Sequence, residues 1–197
     1  MKNTIRLVVA ATALSVWASI APFAVAAPPK SAPTTPAAIA RAAFDAAKNQ
    51  KSEAGAVTKN LATFDDLDFN VFSNGKWDEL GRSHSRDVTV HWPDGRVTHG
   101  IETHIKDLKA LFVFAPDTRI LQHPIKIGQG DHTSVVGIFE GTFTNPMPIG
   151  DGKTIPPTGK AFKILMCTVA HWKNGVMDEE FLFWDNAEFA KQIGIGK

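Results

Sequence analysis

Apolar and polar positions change their period once along this chain, and that change divides it into two kinds of structure. Leu61, Phe64, Leu67, Val71 and Phe72 follow helical spacing, with Asp65, Asp66 and Asp68 on the other side. The pattern predicts an amphipathic helix that stops near Asn74-Gly75. Trp77 and Leu80 suggest a short second helix. Val88, Val90 and Trp92 alternate with polar neighbours as a strand does, and Pro93-Asp94-Gly95 makes its turn. After Gly100, the spacing of Ile101, Ile105, Leu108 and Phe112 predicts a third helix, ended before Pro116.

Beyond Pro116 the period falls to two. Residues 119–127, 133–143, 161–172 and 176–184 read as strands. Gly128-Gln129-Gly130-Asp131 and Lys173-Asn174-Gly175 link neighbours as hairpins, and a last short helix is expected over 186–193. The segment from Asn145 to Pro157, with four prolines and two glycines, reads as an irregular but stiff loop. Helices first and a long antiparallel sheet afterwards make an α+β order. A large sheet of long strands curls, and helices packed on its concave side leave a pocket.

The N-terminal residues change the picture of where the chain acts. Met1 to Arg6 is basic, Leu7 to Ala21 is uncharged and mostly apolar, and Ala24-Val25-Ala26 has the small-x-small form of a signal-peptidase site. Residues 1–26 are therefore expected to be a signal peptide, with the product periplasmic or secreted and not inserted in a membrane after processing. Residues 27–56 read as a Pro/Ala-rich spacer with a possible short helix over 37–51, and the folded domain as 57–197. Removing Lys2 and Arg6 from the 21 basic residues leaves 19, against 20 acidic. A near-neutral domain has no basic field to collect phosphates, which argues against nucleic acid. The single Cys167 excludes an internal disulfide.

Four stretches resemble the SnoaL-like polyketide cyclases, in the family's order. They are His91-Trp92-Pro93-Asp94-Gly95 with Gly100; Ala115-Pro116-Asp117; Gly141-Thr142 with Ile155 to Lys160; and Lys173 to Val176 followed by Glu180, Trp184, Asp185 and Gln192-Ile193-Gly194. The resemblance implies the cone-shaped fold of nuclear transport factor 2, with a curved mixed or antiparallel sheet wrapped around the N-terminal helices. It further implies an intramolecular aldol-type ring closure on a polyketide ester, without metal or organic cofactor. Its acid/base aspartate falls on Asp185 and its assisting histidine on His171.

The residues themselves leave that pair open. Asp185 follows Phe181-Leu182-Phe183-Trp184, and large apolar neighbours raise a carboxyl pKa toward neutrality. An Asp before a short helix is equally a good N-cap. A three-residue turn at 173–175 puts His171 on the face of Phe181, Phe183 and Asp185, whereas a two-residue Asn174-Gly175 turn puts it on the opposite one. His91, Phe181, Phe183 and Trp184 are the expected substrate-lining residues. Glu179 and Glu180 are adjacent and must point to opposite faces. His84, His91, His99 and His104 lack the spacing of a metal motif. No tyrosine is present to build a tyrosine oxyanion hole. The sequence thus predicts a cofactor-free acid/base enzyme for an apolar carbonyl compound, or alternatively an exported binding module for an apolar ligand. Strand positions apolar on both faces, such as Ile164 to Cys167, predict a homodimer through the sheet.

Overall fold

The computed structural model describes residues 36–195. The expected signal peptide lies outside them. Helix α1 runs unbroken over Pro36–Asp66, so the Ala-rich stretch and the amphipathic stretch form one helix rather than two. From Arg41 its side chains are exposed up to the last turns, and burial begins at Val57 and Asn60. No helix among the described residues is long and apolar enough to cross a membrane.

At Leu67 the helix widens into a π-helical turn, Leu67–Val71, which buries Leu67, Asp68 and Val71 together. Such turns are rare and concentrate at functional sites. A 3-10 turn, Phe72–Asn74, then ends on Gly75, whose φ of 62° is the left-handed geometry glycine adopts at least cost. A second 3-10 turn covers Trp77–Arg82. Strand β1 is His84–His91, β2 is Val97–His99, and α2 is Ile101–Phe114.

The sheet continues with β3 (Arg119–Ile120), β4 (Ile125–Gln129), β5 (His132–Thr142), β8 (Ala161–Lys173) and β9 (Val176–Phe183). Its order is β2-β1-β9-β8-β5-β3, with β4 also on β5. Only β1 and β9 run parallel; the other pairings are antiparallel. Helix α3, Asn186–Gln192, closes the chain. The concave face is filled by large side chains, among them Phe64, Phe72, Phe139, Phe162, Leu182 and Trp172. This is the α+β cone, with a mixed sheet around the N-terminal helices.

The structure departs from the sequence expectation in two segments. The strand expected over 119–127 is broken between Ile120 and Ile125. Pro124 has no N–H for the ladder, and the gap lets His123 turn inward. The loop expected over 145–157 contains a small hairpin, β6 (Met147–Gly150) and β7 (Lys153–Ile155). Its Asp151 and Gly152 both have positive φ, the conformation in which Asp-Gly makes tight hairpins.

Candidate functional site

Alternation along β9 decides which carboxylate faces the interior. Met177, Glu180 and Leu182 are buried, whereas Phe183 is 53% exposed. The tight turn pairs Trp172 with Met177, but a bulge follows and pairs His171 with Glu179. His171 thus shares a face with Phe181 and Phe183, as the longer-turn alternative expected. That face is the outer, convex one.

The expected dyad is not brought together. Asp185 is exposed and caps α3, accepting hydrogen bonds from the Ala187 and Glu188 N–H groups at 2.9 and 3.0 Å. Both caps use Oδ1, so the capping role wins at this position. His171 lies opposite Glu179, about 20 Å from Asp185 along the strand at roughly 3.3 Å per residue. Its ring is bound between Asp178 (2.5 Å) and Asp131 (3.1 Å); Asp178 first, and Asp131 with it, raise its pKa against the opposing effect of burial. His91 lies on the outer face, hydrogen-bonded to Glu179 at 2.8 Å and stacked on Phe181 at 4.1 Å. Of the expected lining residues, Trp184 alone lines the interior cavity; His91, Phe181 and Phe183 do not.

That cavity lies between α1, α2 and the concave sheet. Its walls are mainly apolar, including Phe64, Phe72, Leu108, Phe139, Met166 and Leu182, and it is narrow, with about 40 Å³ open to water. It meets a wider groove of about 490 Å³ that shares Trp92, Leu111 and Trp184 and is rimmed by Met147 and Pro148 of the β6–β7 hairpin. Five polar side chains, Asp68, His84, His104, Thr168 and Glu180, line the cavity, and all are buried.

Asp68 comes from the π-helical turn and is 5% exposed. His123 Nε2 lies 2.8 Å from its Oδ2, and His123 Nδ1 lies 2.7 Å from Asp65 Oδ1. Lys126 in turn donates to Asp65 Oδ2 at 2.6 Å. A histidine bonded to a carboxylate at each nitrogen carries both protons. Burial opposes that charge on His123, but Asp68 and then Asp65 outweigh it and raise its pKa. Burial also opposes ionisation of Asp65, yet Lys126 and His123 hold its carboxyl below the ordinary range. At Asp68 burial wins over His123 and pushes the carboxyl up. Asp68 and His123 compete for a proton. Asp65, backed by Lys126, supplies the steadier negative charge beside His123.

Glu180 reaches in from β9. His104 Nε2 on α2 is 3.0 Å from its Oε1, and His84 Nε2 at the start of β1 is 3.7 Å away. Burial disfavours its charge, but His104 and then His84 outweigh that and hold the carboxyl far below the ordinary range. The 3.0 Å contact is misaligned for a hydrogen bond, and Glu180 Oε1, His84 Nε2 and His104 Nδ1 are each buried without a hydrogen-bond partner. His84 Nδ1 is occupied, by Ser83 Oγ at 2.9 Å.

The sequence did carry a signal for these residues. Asp68 lies four positions from both Phe64 and Phe72, and His104 lies four from Leu108, so each sits on a buried stripe rather than opposite it. The expectation that Asp68 faces solvent fails because its side chain lies on that Phe64–Phe72 stripe, which the π-helical turn buries. Spacing along the chain could not reveal that His84 and His104 converge, because strand and helix bring them together across the fold.

The SnoaL-like polyketide cyclase family profile matches residues 62–193. The chain belongs to this family. Among solved structures, it is similar to a SnoaL-like protein from Jannaschia sp. CCS1, with a TM-score of 0.61 and 20% identity over 71% of this chain and 94% of the other. It is likewise similar to IdmH from Streptomyces antibioticus, with a TM-score of 0.58 and 21% identity over 68% and 98%. A third, from Catenulispora acidiphila DSM 44928, has a ketosteroid isomerase-like fold and was solved with trimethylamine (TM-score 0.54, 12% identity, 69% and 92% covered). Likeness at these identities establishes the shared fold. No curated protein matches the chain.

Proposed function

We propose that this chain is a cyclase-type acid/base enzyme that closes a ring by intramolecular aldol chemistry on a carbonyl-bearing apolar small molecule, with Asp68 as the proton carrier. The observation that carries the reading is Asp68 itself: a buried carboxyl whose burial raises its pKa, opening onto an apolar cavity and held by His123. A carboxylate of raised pKa is a stronger base than one in water and returns its proton more readily. It removes a proton from the carbon next to a carbonyl, the resulting enolate carbon attacks a second carbonyl carbon of the same molecule, and Asp68 returns the proton to the new alkoxide. The buried cluster of His84, His104 and Glu180 lines the same cavity, where it stands to polarise the first carbonyl oxygen.

The cavity admits only the reacting end of such a substrate, and the adjoining groove, at about 490 Å³, suits its apolar bulk. Family membership supports a cyclase-type reading over a purely binding one. The first 26 residues support export to the periplasm or outside the cell. Exposed Leu165 and Phe183 on the convex face support a homodimer through the sheet.

Asp68→Asn tests the proposal. A panel of aromatic and alicyclic ketones and keto-esters would be titrated against tryptophan fluorescence, since Trp92 and Trp184 stand where cavity and groove meet. Each recovered ligand would be analysed for mass and isomer. We expect ligands to bind both proteins, with turnover in the variant reduced by about 10²–10⁴-fold. Equal turnover by the two proteins would refute Asp68 as the acid/base.

A further inference from the structure

We propose that His84, His104 and Glu180 form a binding site for a divalent transition-metal ion, zinc or iron(II) in class. One ring nitrogen from each histidine and one carboxylate oxygen lie within 4.8 Å of one another, and all three residues are buried. Metal–ligand bonds of about 2.0–2.2 Å place neighbouring ligands roughly 3.3–3.5 Å apart in a tetrahedron. The observed 3.0 and 3.7 Å separations from Glu180 bracket that spacing.

The polar accounting points the same way. Glu180 Oε1 and His84 Nε2 are buried, face each other across the cavity wall, and have no hydrogen-bond partner. A cation between them would satisfy both. Ser83 Oγ on His84 Nδ1 is the outer partner that fixes a ligating ring's tautomer and leaves Nε2 free to bind. Two histidines and one carboxylate are the donor set of open zinc sites and of non-haem iron(II) sites. The cavity beside them, about 40 Å³, exceeds the roughly 10–15 Å³ that a single water needs, so a coordination position would stay open to water or to a carbonyl oxygen. The site rests on the cyclase reading only for the carbonyl it would polarise; ion binding itself does not need it.

An exposed cluster, Asp131, His132 and His171, also has ligand atoms within that range, so the experiment must separate the two. The purified full chain, stripped with chelator, would be titrated with Zn²⁺ by calorimetry and with Co²⁺ by visible absorption, and metal content measured by mass spectrometry. We expect one tightly bound ion per chain, retained by the His132→Ala/His171→Ala double variant. Glu180→Gln, close in shape and checked for folding by circular dichroism, should weaken binding at least about 100-fold, since even outer-partner changes cost 10–100-fold. Asp68→Asn leaves the three ligands intact and should bind the ion normally, so its turnover tests the acid/base reading separately. No stoichiometric ion in the wild type, or equal affinity in Glu180→Gln, would overturn the site. So would an ion lost from the His132/His171 double variant alone.

Discussion

Asp68 and Glu180 line one cavity, yet their surroundings push their carboxyls in opposite directions. The difference is local. Each is fully desolvated, but Glu180 faces two imidazoles while Asp68 shares its histidine with Asp65. Linkage then shapes the stability profile. Glu180 has a lowered pKa, so its contribution is present above its ordinary 4.5 and is lost as pH falls below it. His123 has a raised pKa, so its contribution is full below its ordinary 6.5 and is lost as pH rises through its raised value. Asp68, also raised, adds to the loss on the rising side of its ordinary 3.8. Melting temperature followed against pH should therefore fall in acid below about pH 4.5, where Glu180 is lost, and fall again in alkali above about pH 6.5, where His123 is lost. His123→Asn should flatten the alkaline limb; an unchanged limb would remove His123 as its source.

Among the elements, the break between β3 and β4 matters most to the site. Ile120 N–H donates to Ser73 Oγ at 2.8 Å, and the single Ser73 hydroxyl proton has the carbonyls of Asp68 (2.6 Å) and Ile120 (2.9 Å) as acceptors. The strand end is thereby tied to the π-helical turn that carries Asp68, and the following residues turn His123 onto it. Gly137 on β5 keeps this arrangement close: a Cβ there would come within 2.9 Å of Ile120 Cγ2 and 3.5 Å of His123 Cδ2. Gly137→Ala should destabilise the protein by about 1–3 kcal/mol through overpacking, measured by urea unfolding. It should also lower turnover by shifting His123. A variant as stable as wild type would mean β5 has slack that the packing does not show. At the hairpin, β9 reaches its register in two steps, a tight Asn174-Gly175 turn and then a bulge at Asp178. Without the bulge Glu180 would swap faces with Glu179, and the cavity would lose one wall of its polar cluster.

Taken as a whole, the molecule buries one face of its sheet and leaves apolar side chains on the other. Leu165 is 63% and Phe183 53% exposed, and Cys167 pairs with Phe183 between them. Covering this patch is the physical reason to expect a dimer. In sedimentation at micromolar concentration the wild type should run as a dimer and Leu165→Glu as a monomer of unchanged fold; a wild-type monomer would exclude the interface. N-terminal sequencing of the secreted product should begin at Ala27, the residue after Ala26, if the leader is cleaved as its pattern predicts.

The sequence by itself determined the α+β order, most element positions and the family, because hydrophobic period is a local property and the family's motifs are short runs of turn residues and glycines. Helices ending at Gly75 and before Pro116, and the Asn174-Gly175 hairpin, follow from backbone chemistry within a few residues. Asp151-Gly152 carries the same kind of signal for β6–β7, masked by the prolines around it. The site was another matter. Asp185 has the right neighbours in sequence, but alternation turns Phe181 and Phe183 outward and the start of α3 takes its carboxyl as a cap. Asp68 and His104 were legible only as polar residues on buried stripes. Their meeting with His123, His84 and Glu180 required a π-helical turn, a broken strand and a bulge. Each of these shifts a side chain by about one position, and one position is enough to move it from solvent to cavity.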